Sequence, residues 1–388
     1  MKKKSMNIKK VLVIYHYIAH YRKPIFDLLC NSNNVDYYLA ADDKANINSL
    51  NVLSRFCSPT SQSISKKWIG VSNFWITKDV LWQKGVLGLA LSRRFDSLIF
   101  LGNMYFISTW VAVVVARLRG KKVYFWTHGF RNKERSIKGF LRTCFYRLAN
   151  GLFLYGNQAK EILIEKGFSP DRLHVIYNSL DFYAQTREVE RITLEDRLAK
   201  RHDLQINEDD KLIIATGRIV KDKKFDLLID AIAELNSSGV QKYSLIVVGD
   251  GPGKIAMEKK ACKLSVTDHI IFFGACYEER ELAMLISMSD VSVVPGDIGL
   301  SGIHSLTYGT PVVTHDNFET HKPEFEAIRD GLSGSFYRAG SVHDMVVKIK
   351  YWAMKDRNDV FRDCRSIICN FYNTEFQKSV LDKVIIEG

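Results

Sequence analysis

The sequence predicts an α/β protein of two doubly wound, Rossmann-like domains facing each other across a cleft. Three observations carry that expectation. The 388 residues exceed a single domain of about 150. Short apolar runs alternate with helix-length amphipathic stretches, which implies mostly parallel sheets covered on both faces. The alternation then restarts after a polar, charge-dense stretch from about 184 to 210, read as a linker and the entry to the second domain. We therefore expect a first domain at 1–184, a second at 185–369, and a C-terminal helix at about 370–388 packing back on the first. In such folds a ligand lies at the carboxyl ends of the strands.

The elements follow in order. Val11–Tyr15 is a short buried-strand pattern, with a helix beginning near Pro24, where proline is tolerated. Leu98–Leu101 precedes the helical run Trp110–Arg119, Lys122–Trp126 precedes a helix from about Arg135 to Leu148, and Gly151–Tyr155 precedes Gln158–Lys166. In the second half, strands at Lys211–Thr216, Tyr243–Val248, Ile270–Phe273, Val291–Val294 and Val312–Thr314 alternate with helices at Phe225–Leu235 and Glu279–Met288. A hydrophobic content of 46% with only seven prolines excludes extended disorder.

Charge is partitioned unevenly. The net +12 divides into 28 Lys/Arg against 11 Asp/Glu in residues 1–184, and 27 against 32 in the remainder. Five of the six tryptophans (Trp68, Trp75, Trp82, Trp110, Trp126) lie in the basic half, a pairing that suits an anionic membrane surface or a nucleic acid. Lys66, Lys67, Lys78, Lys84, Arg93 and Arg94 stand among Trp68, Phe74, Trp75 and Trp82. Arg131–Leu148 mixes Ile137, Phe140, Leu141, Cys144, Phe145 and Leu148 with basic residues including Lys133, Arg135 and Lys138. The same helix also reads as an ordinary core face with a solvated basic back. Without zinc-finger spacing, an RNP-type motif or a basic zipper, no nucleic-acid partner is expected. Lys2, Lys3, Lys4, Lys9 and Lys10 before Val11–Tyr15 imitate a signal peptide, but the apolar run is short and meets His16 and His20. The longest apolar stretch, Trp110–Ala116, is far below the roughly 20 residues of a membrane span, so membrane contact is expected to be peripheral. Seven cysteines without zinc spacing read as reduced thiols of an intracellular protein.

Two segments carry the chemistry. Gly217-Arg218-Ile219-Val220-Lys221-Asp222-Lys223-Lys224-Phe225-Asp226 leaves a strand and opens a helix. Glycine permits the sharp exit, and Arg and Lys at a helix entrance can grip a diphosphate, although a solvated basic loop would have the same composition. Pro295-Gly296-Asp297-Ile298-Gly299-Leu300-Ser301-Gly302-Ile303-His304 repeats the strand exit with small residues, so that backbone N–H groups near Gly299 and Gly302 can approach phosphate oxygens. His304 follows a little over one turn later. His16 and His174 read as structural.

With these segments, the Gly-Asp-Gly-Pro turn at Gly249–Pro252, the Phe-x-Gly turn at Phe272–Gly274, Gly309-Thr310-Pro311-Val312, Trp-Thr-His-Gly at Trp126–Gly129 and Asn178-Ser179-Leu180-Asp181, the chain resembles the family 4 retaining glycosyltransferases of the GT-B fold over nearly its whole length. By that resemblance Arg218 and Lys223 bind the donor diphosphate and stabilise the departing nucleotide, with no metal and no cofactor. Gly217, Lys224, Gly274, Asp297, Gly299, Leu300, Ser301, Gly302 and His304 line the donor, a UDP- or GDP-sugar. His128 stands beside the donor sugar as a catalytic residue, and His20, Tyr21 and Arg22 lie near the acceptor.

The chain departs from the family's pattern where two glutamates separated by seven residues are usual. Those positions are Gly296 and His304, so Asp297 is expected to replace the first and His304 to hydrogen-bond a ribose hydroxyl. Lys224 stands at a usual glycine. The Pro-Gly-x-x-Gly-Leu and His-Ser form, with Thr314–Phe318 and Pro323–Glu326, resembles bacterial O-antigen and capsule transferases. This implies a polyprenyl-diphosphate-linked saccharide acceptor and a cytoplasmic enzyme, peripheral on the inner face of the cytoplasmic membrane. A sugar-nucleotide epimerase of the same fold is the alternative enzyme, and an inactive nucleotide-sugar-binding membrane scaffold is the alternative suggested by the missing glutamates.

Overall fold

The computed structural model describes residues 8–43, 52–53, 61–134, 136–237 and 239–388. The chain divides into two compact units, Met1–Leu180 with Thr374–Gly388, and Asp181–Asn373. The expected division after residue 184 falls inside the helix Phe182–Glu190, whose N-cap is Asp181, so that helix lies wholly in the second unit. Lys2, Lys3, Lys4 and Arg135 lie outside the described residues.

In the first unit the strands are β1 (Lys10–Ile14), β2 (Asp36–Ala41), β3 (Trp68–Gly70), β4 (Ser72–Trp75), β5 (Leu81–Lys84), β6 (Ser97–Leu101), β7 (Lys122–Thr127), β8 (Gly151–Leu154) and β9 (Leu173–Val175). Seven of them make a parallel sheet in the order β3-β2-β1-β6-β7-β8-β9, and β4 and β5 form a separate antiparallel hairpin. The strands are near-continuous apolar runs because both faces are covered. Successive residues therefore serve opposite cores. Leu12, Leu98, Phe100, Val123 and Phe125 pack on one side with Ala112, Val113 and Phe145 of the helices Ile107–Leu118 and Ile137–Arg147. Val11, Val13, Ile99, Tyr124 and Trp126 pack on the other with Phe26 of Lys23–Cys30 and with Leu381 and Ile385 of Thr374–Glu387.

The second unit holds β10 (Lys211–Thr216), β11 (Tyr243–Val248), β12 (Ile270–Gly274), β13 (Val291–Val294), β14 (Val312–His315) and β15 (Gly334–Tyr337), all parallel, in the order β12-β11-β10-β13-β14-β15. This is the doubly wound arrangement in which the strand order reverses between the first and fourth strands, here β10 and β13. Each unit is Rossmann-like, and the α/β expectation holds.

Two sequence expectations need correction. The polar stretch from about 184 to 210 is not a linker but carries the helices Phe182–Glu190 and Leu194–Asp203, the latter opened by a capping box between Thr193 and Asp196. Leu194–Asp203 buries only Arg201, so it has no apolar stripe to read. Trp68, expected among surface aromatics, is buried in β3 with its indole N–H donating to Ala41 O at 3.1 Å. Phe74 and Trp75 of the adjoining hairpin are exposed. Among the described residues no helix is long and apolar enough to cross a membrane.

Candidate functional site

In the second unit the loops leaving β10 and β13 meet at the strand-order reversal. Gly217 turns the chain out of β10 at φ 134°, and its N–H donates to Val248 O at 2.9 Å. The run Gly249-Asp250-Gly251 lies beneath this turn, where Ile219 N–H donates to Asp250 O at 2.9 Å. A Cβ at Gly251 would meet Ile219 O at 2.3 Å. The Gly-Asp-Gly run thus seats the Gly217 turn backbone against backbone. Gly274, at the end of β12, gives its carbonyl to Gly249 N–H at 2.8 Å, so the structure places it behind this bed, with β11 between its strand and β10.

Arg218 is exposed, and its guanidinium has no partner among the described residues. Lys223 closes a short 3-10 turn, Lys221–Lys223, after which Lys224 takes a left-handed φ of 49° and stays exposed. Half-buried Lys223 donates its ammonium to Asp297 O from the loop after β13. Its pKa is lowered, first by burial and then by the charge of Lys322, against the pull of Asp297 and Glu324. The loop leaves no room at Gly296, where a Cβ would come within 2.1 Å of Asp222 O and 2.7 Å of Lys223 Cα. At this position, where the resembled family carries a carboxylate, the backbone of the Lys223 turn occupies the space of any side chain.

Gly299 then opens the helix Leu300–Thr307 with no side-chain cap, so its first N–H groups are unclaimed by a capping side chain. Leu300 and Ser301 are half-buried in that first turn, and Gly302 is buried, where a Cβ would meet Ile298 Cδ1 at 2.5 Å. The loop is held from β14. His321 Nδ1 accepts Ile298 N–H at 3.2 Å, its Nε2–H donates to His315 O at 2.8 Å, and the two imidazoles stack at 4.1 Å. Lys322 lies over the helix start, its Cδ 3.1 Å from the place a Gly299 Cβ would take. Gly217, Arg218, Lys223, Lys224, Asp297 and Gly299–Gly302 therefore stand on two loops tied together at the reversal point, an arrangement of cations and open N–H groups suited to a diphosphate.

His304 faces a partner the sequence did not suggest. Its Nε2 lies 2.7 Å from Glu279 Oε1, which also accepts from Gln185 Nε2 at 3.1 Å and from the Tyr308 hydroxyl. Burial pushes the Glu279 carboxyl up, but the hydrogen bond and charge of His304, with Tyr308 and Gln185, outweigh it and bring it down to about 2.

In the first unit His20, Tyr21 and Arg22 form a 3-10 turn after β1. His20 and Tyr21 are exposed, but Arg22 is buried. Its guanidinium donates to the Tyr155 hydroxyl and lies 5.2 Å from the Trp126 ring centroid. His128, exposed after β7, packs on the same Tyr155 at 4.6 Å between centroids. Tyr155 thus joins His128 to Arg22. His16 sits among Tyr17, Trp75 and Phe106, and burial holds it at about 4. Sequence reading missed Tyr155, Glu279, His321 and Lys322, because each acts through a partner distant in the chain. Among the described residues no cluster of three or more His, Cys, Asp or Glu could hold a metal ion.

Residues 196–365 match the family described as glycosyl transferases group 1. The chain is 25% identical over 236 residues to the glycosyltransferase EpsD of Bacillus subtilis, a match covering 58% of each. Curated relatives are matched over about a quarter to three-fifths of their own length. Among solved structures, the lipopolysaccharide outer core galactosyltransferase WaaB superposes with a TM-score of 0.68 at 14% identity, over 98% of this chain and 100% of that one. HepE of Anabaena in complex with UDP gives 0.71 at 13%, over 97% and 99%.

Proposed function

We propose that this chain, whose residues 196–365 match the group 1 glycosyltransferase family and whose fold is that of GT-B structures, is a retaining, metal-independent transferase. It moves a sugar from a UDP- or GDP-linked donor to a polyprenyl-diphosphate-linked saccharide during assembly of a bacterial surface polysaccharide, O-antigen or capsule. The observation that carries the reading is the meeting, at the strand-order reversal, of the half-buried Lys223 ammonium with the uncapped start of Leu300–Thr307. When the bond from the anomeric carbon to the diphosphate breaks, the electron pair goes to the diphosphate oxygen. Cations and N–H groups fixed there favour that charge more than the ground state. Arg218 adds an exposed guanidinium. The UDP bound to HepE and the lipopolysaccharide role in WaaB's name support the donor class and the polysaccharide setting.

A peripheral position on the inner face of the cytoplasmic membrane is supported by the surface of the first unit. Helix Ile107–Leu118 exposes Ile107, Val111, Val114 and Leu118, spaced as one helical stripe. The neighbouring helix, joined to it by Trp110 against Phe145 at 4.9 Å and by Arg117 on Leu148 O at 3.0 Å, exposes Ile137, Phe140 and Leu141. Residues 61–150 carry 16 Lys/Arg against 3 Asp/Glu, a charge complement to an anionic leaflet.

The test is transfer from radiolabelled UDP- and GDP-sugars into membrane lipid extract, with and without EDTA. Labelled lipid-linked product that persists in EDTA and is lost in Arg218→Ala and Lys223→Ala is the expected result. Indifference to both substitutions would sink the reading, and an epimerised nucleotide sugar formed without acceptor would replace it.

A further inference from the structure

We propose that Glu279 is the carboxylate that receives the vicinal hydroxyls of the donor's ribose. This rests on the donor reading above and assigns it a residue that neither the glycine turns nor the basic loop contains.

Three donors converge on one oxygen of Glu279. His304 Nε2 at 2.7 Å comes from the helix Leu300–Thr307, Tyr308 follows as that helix's C-cap, and Gln185 Nε2 at 3.1 Å comes from the helix Phe182–Glu190. Glu279 itself is the first residue of Glu279–Ser287. Three elements thus fix the position of Oε1, while among the described residues nothing donates to Oε2. The Glu279 side chain keeps 42% exposure against 17% for His304, so the carboxylate is reachable from solvent while the imidazole that anchors it is largely covered.

The neighbouring Glu278 shows what a purely structural glutamate does at the same helix start. Its Oε1 accepts Arg280 N–H at 3.2 Å and its Oε2 accepts Glu281 N–H at 2.6 Å, so both oxygens close the helix end. Glu279 has one oxygen saturated and one presented. Held ionised, it accepts hydrogen bonds and donates none, so its open oxygen selects hydroxyl donors. His304, expected to meet the ribose itself, has its Nε2 committed to Glu279 and acts as a positioning residue.

The spacing suits a nucleotide. His304 lies four residues beyond Leu300, an axial rise of about 6 Å from the turn that takes the diphosphate. A ribose ring separates its 5′-phosphate from its 2′ and 3′ hydroxyls on that scale. A site built to bond a hydroxyl discriminates against the analogue lacking it, because the polar group is then left without its partner.

The experiment is calorimetric titration of the full chain with UDP and GDP and with their 2′,3′-dideoxy analogues. Wild type is expected to bind the dideoxy compound about tenfold or more weakly. Glu279→Gln is expected to bind both forms at the weaker level, with its folding checked by thermal unfolding. Equal affinity of wild type for ribose and dideoxy nucleotides overturns the inference without any variant. Discrimination that survives in Glu279→Gln overturns it while leaving the donor reading intact. Failure of wild type to bind either nucleoside diphosphate overturns both.

Discussion

Gly249 faces the carbonyl oxygen of Gly217 so closely that a Cβ there would come within 1.9 Å of it. Gly249 also sits at φ 154°, where an L side chain is strained. The glycine beneath the turn is therefore what allows Arg218 to leave β10 in its observed direction. Gly249→Ala is expected to cost about 3 kcal/mol or more and to abolish nucleotide binding. Gly253→Ala, whose Cβ would meet the Ile219 Cγ2 methyl at 3.0 Å and the Ile219 carbonyl oxygen at 3.2 Å, should be milder. Thermal unfolding of the two variants side by side gives the answer.

Lys223 is expected to be the more sensitive of the two catalytic cations. Lys223→Met removes the donor to Asp297 O from a half-buried position, whereas Arg218 stands in solvent. Transfer should fall by roughly 100-fold or more in Lys223→Met, the scale of a lost transition-state contact, with a smaller loss in Arg218→Met. Initial rates at saturating donor would reveal the opposite order if the assignment is reversed.

His321 holds the loop before the helix Leu300–Thr307 through both ring nitrogens. His321→Leu leaves Ile298 N–H and His315 O without that partner in a buried place, at a cost of about 2 to 4 kcal/mol. Denaturant midpoints measure it, and a change below about 0.5 kcal/mol would contradict the bridging role.

Acid should weaken the fold in a defined window. Burial holds His16 at about 4, and burial, with the charges of His321 and Lys224, brings His315 to about 4, against an ordinary 6.5. Between those values the unfolded chain binds protons that the folded one refuses. Stability is therefore fully present above pH 6.5 and declines as pH falls toward 4. Glu279, lowered to about 2 from 4.5, adds a second decline that begins near pH 4.5 and continues toward 2. Urea midpoints from pH 7 to 4 should drop, and His315→Gln should flatten the slope.

Charging the apolar stripe should separate membrane contact from folding. Val111→Glu with Val114→Glu changes exposed positions on Ile107–Leu118. Sedimentation with phosphatidylglycerol vesicles is expected to be lost while the thermal midpoint moves little. Retained sedimentation would place the contact elsewhere.

Strands β10, β11 and β13 were legible to the residue because each is a short run rich in apolar, β-branched residues broken by at most two polar side chains. The helices Phe182–Glu190 and Leu194–Asp203 were not, since their sequences bury too few apolar side chains to differ from a solvated linker. The same contrast divides the site. Gly217, Lys223 and Gly299 announce themselves by glycine and charge at strand exits. The link from Glu279 to His304 spans 25 residues and two helices, and His321 reaches back 23 residues to Ile298, so only the folded sheet brings these partners together. The clearance at Gly296 depends on the backbone of Asp222 and Lys223, which no local pattern encodes.

The helix Thr374–Glu387 has a consequence for how the protein is made. It buries Leu381 and Ile385 in the core of the first unit, takes the Tyr37 hydroxyl on Asp382 at 2.8 Å, and accepts Lys9 on Ile385 O at 2.9 Å. A ribosome that has just released Asn373 has therefore completed the second unit while the first, begun earlier, still lacks part of one face. The unit synthesised first is the last that can close. Until the turns of that helix emerge, its nascent sheet keeps apolar surface available to chaperones or to misassociation.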